Sequence, residues 1–149
     1  MYLYETKYWK IIFKEKQSFL GRCKIVNKEK KRSLSELTSE EWVELGKIEK
    51  DLEDVMKCLF DATMFNFVCL MNNAYRDETT PYIHFHFIPR YNHEVVLFEK
   101  KYSDKHFGNN FYKWSNDKKD KQKNIFSTDE IADIYLLIKK ELDKKFDKI

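Results

Sequence analysis

Two histidines, His84 and His86, stand two residues apart in the run Pro81-Tyr82-Ile83-His84-Phe85-His86-Phe87-Ile88-Pro89-Arg90-Tyr91. Apolar residues alternate with polar ones there, and in a strand successive side chains point to opposite faces. Tyr82, His84, His86 and Ile88 therefore share one face, and Ile83, Phe85 and Phe87 the other. Neighbouring imidazoles suit nucleophilic or acid–base chemistry, because an unperturbed imidazole titrates at about 6.5 and offers a lone pair near neutral pH. The same spacing also suits two zinc ligands awaiting a third, or two structural histidines with satisfied ring nitrogens. The strand alone does not choose among these.

The flanking sequence predicts the elements that hold such a strand. Ile11, Ile12 and Phe13, the turn around Gly21, and Arg22 to Asn27 read as two strands joined by a short connection. Lys28 to Arg32 reads as a solvated basic connection. Thr38-Ser39-Glu40-Glu41 is a capping box, in which hydroxyl and carboxylate satisfy each other's exposed backbone donors. Behind it Trp42, Leu45, Ile48, Leu52, Val55, Met56 and Leu59 recur at helical spacing, predicting one apolar stripe. Met64 to Met71 reads as a strand ended by Asn72-Asn73-Ala74, Tyr75 to Pro81 as a polar loop, and Tyr82 to Tyr91 as the histidine strand. A Lys- and aromatic-rich loop is expected over about 100–123. A second capping box at Ser127 to Glu130 opens a C-terminal helix over about 128–146, with Ile131, Ile134, Tyr135, Ile138 and Leu142 as its apolar face.

Composition bounds the rest. At 149 residues, 42% hydrophobic, with 3 Gly and 2 Pro, the chain is expected to form a single globular domain over 1–149 rather than a disordered or fibrous one. The 28 Lys and Arg stand against 25 Asp and Glu, a net charge of +3, too balanced to mark a nucleic-acid binder. Stacking and phosphate contact through the loop after Lys100 is opposed by Glu99, Asp104, Asp117 and Asp120 in and beside it. Cys23, Cys58 and Cys69 are odd in number and widely spaced, which argues against a disulfide framework or a cysteine zinc site. Met1 to Ile12 lacks the apolar core of a signal peptide, and nowhere do roughly 18 apolar residues run together. A soluble, cytoplasmic protein without membrane contact is expected.

The string from Pro81 to Tyr91 resembles the motif of the histidine triad superfamily, in which histidines alternate with apolar residues and Pro-Arg often follows. Phe19-Leu20-Gly21-Arg22-Cys23, Leu34-Ser35-Glu36-Leu37-Thr38 and Cys69-Leu70-Met71-Asn72-Asn73-Ala74 occur in that family's order, so the resemblance runs from about Trp9 to Tyr91. It implies an α+β fold: an antiparallel sheet of about five strands with a long packed helix and a C-terminal helix, in a homodimer. The branch that hydrolyses diadenosine tetraphosphate is the most similar. By that resemblance His84 is the nucleophile that attacks the α-phosphorus and becomes transiently nucleotidylated, and His86 contacts the phosphate. Asn72 helps hold ribose or phosphate, and Thr79 or Thr80 approaches the scissile bridge. The family's first histidine is Tyr82 here, which keeps a hydrogen-bonding tip, although a phenol does not titrate near neutrality. Lys14 stands where relatives often place an Asn toward the ribose; a lysine there either meets a phosphate or is solvated.

These roles have physical requirements. The nitrogen of His84 that does not attack must be held, usually by a backbone carbonyl, and donors aimed at the phosphoryl oxygens are worth about 2.7–4 kcal/mol each. No tightly bound cofactor and no protein metal site are expected; Mg²⁺ would arrive on the substrate phosphates. The same residues also fit a nucleoside phosphoramidase, a nucleotidyltransferase, or a nucleotide-binding module with little turnover. His93 and His106 are expected at the surface. Arg90 fits equally a distal phosphate or a structural ion pair.

Overall fold

Alternation builds the strands. In β2 (Trp9–Phe13) and β3 (Cys23–Asn27) every second side chain is fully buried, giving the sheet a core face and an open face. The computed structural model describes residues 1–77, 81–110 and 121–146. It joins β1 (Tyr2–Glu5), β2, β3, β4 (Met64–Val68) and β5 (His84–Arg90) in one antiparallel sheet of order β1-β2-β3-β5-β4. β5 is thus paired on both sides: His86 lies opposite Lys24 of β3 and Val68 of β4. Strand register sets which face every side chain occupies, so this double pairing fixes both imidazoles on the open face.

The core face is covered by α1 (Ser39–Phe60), whose N-terminus is the expected box: Thr38 Oγ1 accepts from the Glu41 N–H at 3.3 Å, and Glu41 accepts from the Thr38 N–H at 2.7 Å. Leu45, Ile48, Leu52, Val55, Met56 and Phe60 form its buried stripe. Trp42 departs from the expectation. It is 43% exposed and meets Phe85 edge-on, with ring centroids 6.3 Å apart. Glu41 takes the inward position of that turn. Its carboxylate accepts from Asn27 Nδ2 at 2.9 Å and Lys31 Nζ at 2.5 Å. Burial opposes ionisation there, but Lys31, the Thr38 N–H and Asn27 outweigh it and hold the carboxyl at about 2.

Gly21 brings the start of β3 close to this helix. Its φ is +83°, and a Cβ on it would stand 2.7 Å from Met56 Sδ and 3.1 Å from Pro89 Cγ.

Three other segments differ from expectation. The strand expected over Met64 to Met71 ends at Val68, because Met71 adopts a left-handed conformation (φ 60°) and starts a short helix, α2 (Asn72–Arg76). Asn72 is therefore helical rather than at a strand end. The histidine strand begins at His84 and not at Tyr82. The segment after Lys100 is not loop from its start: β7 (Lys100–Tyr102) pairs with β6 (Val95–Leu97) through Phe98 and Glu99, both at positive φ, the hairpin geometry usually supplied by Asn-Gly. Residues 111–120 of the expected loop lie outside the described residues. The last helix, α3 (Thr128–Phe146), starts at the expected Ser127–Glu130 box and buries Ile131, Ile134, Ile138 and Leu142. It packs against α1 and β1; Tyr135 Oη donates to the Tyr2 carbonyl at 2.7 Å. Among the described residues no helix is long and apolar enough to cross a membrane.

Candidate active site

His84 Nδ1 lies 2.9 Å from the backbone carbonyl of Tyr82. A carbonyl only accepts, so Nδ1 carries the proton and Nε2 keeps its lone pair. One hydrogen bond thereby selects the tautomer and aims the basic nitrogen away from the backbone. Burial pushes the His84 pKa below its ordinary value, partly offset by the Tyr82 carbonyl, while Lys24 and Lys14 lower it further. The ring is neutral near pH 7.

The His86 ring stands perpendicular to that of His84, with centroids 5.2 Å apart. Burial, then the positive charges of Arg22, His84, Lys24 and Lys14, lower its pKa to about 3. Both histidines are thus held below an unfolded imidazole, which titrates at about 6.5. The unfolded chain takes up protons first as pH falls, so their contribution to stability is complete above about 6.5 and is lost as pH drops toward the folded-state values. We expect the Tm to fall between pH 6.5 and 4, less steeply in His86→Asn than in wild type; parallel curves would show that His86 is not desolvated.

The two rings open onto a recess of about 280 Å³ lined also by Lys24, Leu70, Met71, Asn72, Asn73, Ala74 and Asp77. The left-handed turn at Met71 places α2 as its wall. A non-glycine residue there costs about 1–2 kcal/mol, and such strain concentrates at functional sites. Of the residues expected from sequence, His84, His86 and Asn72 meet in this recess. Lys14 lies outside its lining but close enough to depress both histidines. Tyr82 acts through its carbonyl; its ring faces Lys30, whose Nζ is 5.5 Å from the centroid. Thr79 and Thr80 lie outside the described residues. Lys24 and Arg22 were missed, although the alternation of Arg22 to Asn27 places both on the histidine face. A larger recess of about 600 Å³ lies between β1, α1 and the end of α3, but it contains no histidine or cysteine and is remote from the paired imidazoles. Among the described residues, no three of His, Cys, Asp and Glu converge to hold a metal ion. Cys23, Cys58 and Cys69 are free, and burial raises the Cys23 thiol to about 12.

Neither a protein-family model nor a curated protein matches the sequence. Solved structures do match. Plasmodium falciparum diadenosine triphosphate hydrolase, in complex with cyclomarin A, is similar with a TM-score of 0.61 over 97% of this chain and 78% of that one, at 21% identity. A histidine triad protein from Bradyrhizobium japonicum gives 0.65 over 95% and 90%, at 10% identity. The C. elegans NitFhit protein gives 0.59 at 14% identity over 94% of this chain, which spans only 27% of that longer one. The chain has the histidine triad fold.

Within the histidine triad fold Arg90 is structural. Its side chain is fully buried, and each of its five N–H groups has an acceptor: Nε and Nη2 hold Asp104 at 2.6 and 3.1 Å, Nη1 reaches Asn66 Oδ1 at 2.9 Å and the Asn109 carbonyl at 2.7 Å, and Nη2 also meets the His106 carbonyl at 2.5 Å. No donor is left for a distal phosphate. The guanidinium instead fastens the turn from Asp104 to Asn109 against Asn66 of β4. His106 takes part through its backbone, and His93 is at the surface as expected, 3.8 Å from Asp61.

Proposed function

We propose that this chain is a nucleotide hydrolase that cleaves dinucleoside polyphosphates through a nucleotidyl intermediate on His84. The observation that carries the reading is the Tyr82 carbonyl on His84 Nδ1, because it leaves Nε2 unprotonated and directed into a recess that also holds His86, Lys24 and Asn72. The histidine triad fold shared with a diadenosine triphosphate hydrolase supports it.

The chemistry runs in two displacements. The Nε2 lone pair attacks the α-phosphorus; a P–N bond forms as the P–O bond to the remaining phosphates breaks, and the leaving oxygen carries off the electron pair. Water then attacks the same phosphorus, the P–N pair returns to the imidazole, and a nucleoside monophosphate leaves. Neutral His86 donates one N–H to the developing charge, and the Lys24 ammonium stabilises it electrostatically. Asn72 has an amide to offer the ribose or a phosphoryl oxygen.

Mass spectrometry of products from diadenosine tetraphosphate, with and without Mg²⁺, tests this. Adenosine monophosphate and triphosphate in equal amounts are expected. Inert protein toward both this substrate and a nucleoside phosphoramidate would overturn the reading; turnover of the phosphoramidate alone would keep the His84 chemistry and replace the leaving group.

The acid limb of kcat/KM reports the free enzyme. Because imidazolium cannot attack and the His84 pKa is lowered, that limb should lie below about pH 6.5, with activity sustained into mildly acidic solution. A limb above that value in a pH profile from 4 to 9 would contradict the desolvated geometry.

A further inference from the structure

Five cations lie along one side of the histidine pair. On the open face of β3, Lys24 sits directly opposite His86 and Arg22 precedes it by one strand repeat. The Lys14 N–H donates to the Arg22 carbonyl at 3.1 Å, so the end of β2 continues the row. Beyond it the Lys16 and Lys121 amines approach within hydrogen-bonding reach of each other, with Arg22 close enough to add its charge.

Grouping these cations is unfavourable as it stands. Among the described residues Lys14, Lys16 and Lys24 form no ion pair, although elsewhere on the surface lysines pair freely, as Lys50 does with Asp54 and Lys139 with Asp143. The carboxylates at hand are turned elsewhere: Glu15 faces the amino group of Met1, and Asp77, in the wall of the recess, is held by Arg76 at 2.7 Å. Lys24 and Arg22 are also partly desolvated, and Lys16 is pushed toward losing its proton first by Lys121 and then by burial. Like charges held together at half-buried positions raise the local potential, and a multivalent anion lowers it.

We propose that Lys24, Arg22, Lys14, Lys16 and Lys121 form a track for a linear polyphosphate chain, leading away from the phosphorus attacked by His84 across β3 and β2. The inference rests on the hydrolase reading for its direction, and it adds a substrate class: nucleotides bearing several further phosphates beyond the reacting one. The outer pair, Lys16 and Lys121, reads chain length and takes no part in the displacement.

Two measurements on the full chain separate this from the hydrolase reading. Calorimetric titration with inorganic tripolyphosphate should show binding to wild type that weakens roughly three- to tenfold for each of Lys16→Gln and Lys121→Gln. In the double variant the slope of log affinity against log salt should become shallower by about one for each lysine lost. Turnover of dinucleotides with three to six bridging phosphates should improve with chain length in wild type and flatten in the double variant, while turnover of a nucleoside phosphoramidate stays unchanged. Tripolyphosphate affinity and salt slope unaltered in the double variant would overturn the track, even with hydrolysis intact. Lysine-dependent binding without any turnover would sustain the track and overturn the hydrolase. Lysine-dependent binding of single-stranded polyadenylate, tighter than tripolyphosphate, would replace the polyphosphate ligand with a nucleic-acid strand.

Discussion

His84→Ala is expected to lower kcat on diadenosine tetraphosphate by roughly 10⁴-fold or more, the scale of removing a nucleophile. The folded state should persist, because His84 is only half-buried and α1 covers the opposite face of the sheet. An unchanged unfolding transition beside an absent product peak is therefore the decisive pair of observations. His86→Ala should cost less, about 10²–10³-fold, since one donor is lost and the attacking atom remains. Tyr82→Phe should leave kcat near wild type, as the carbonyl that holds His84 belongs to the backbone. A His84→Ala protein within tenfold of wild type would place the nucleophile elsewhere.

The largest effect on stability is expected at Arg90. Removing one partner of a buried ion pair leaves the other charge desolvated, which costs about 3–5 kcal/mol. Arg90→Met strands the Asp104 carboxylate and strips acceptors from Asn66 and from the His106 and Asn109 carbonyls. Urea unfolding should show that loss as a lower midpoint. Lysine should not rescue it, because a single ammonium cannot reproduce a fork satisfying five acceptor contacts. Replacing Arg90 and Asp104 together by apolar residues should recover part of the stability. A loss under about 1 kcal/mol in Arg90→Met would mean that water reaches the pair.

Much of this fold is legible in local periodicity. Both capping boxes, the stripe from Leu45 to Phe60 and the alternation of β5 follow from rules spanning a few residues, and they suffice to place His84 and His86 on one face. The departures arise where long-range partners decide. Glu41 displaces Trp42 from the inward position because Asn27 and Lys31, remote in sequence, supply its donors. Asn72 is drawn into the recess by the left-handed Met71, a conformation that methionine rarely adopts and composition does not announce. Arg90 is structural because Asp104 and two carbonyls come from an aperiodic segment. Lys24 and Arg22 were readable: the alternation that aligns the histidines aligns them as well.

The double pairing of β5 divides the site into parts of different permanence. Amides within an interior strand exchange with solvent only through large openings, whereas a five-residue helix such as α2, with no buried residue, opens locally at little cost. Hydrogen exchange should therefore protect the strand carrying His84 and His86 far longer than the wall carrying Asn72 and Asn73. Mutations in that wall can alter which ligand is admitted without disturbing the attacking atom, so the fold can acquire new substrates while its chemistry stays fixed.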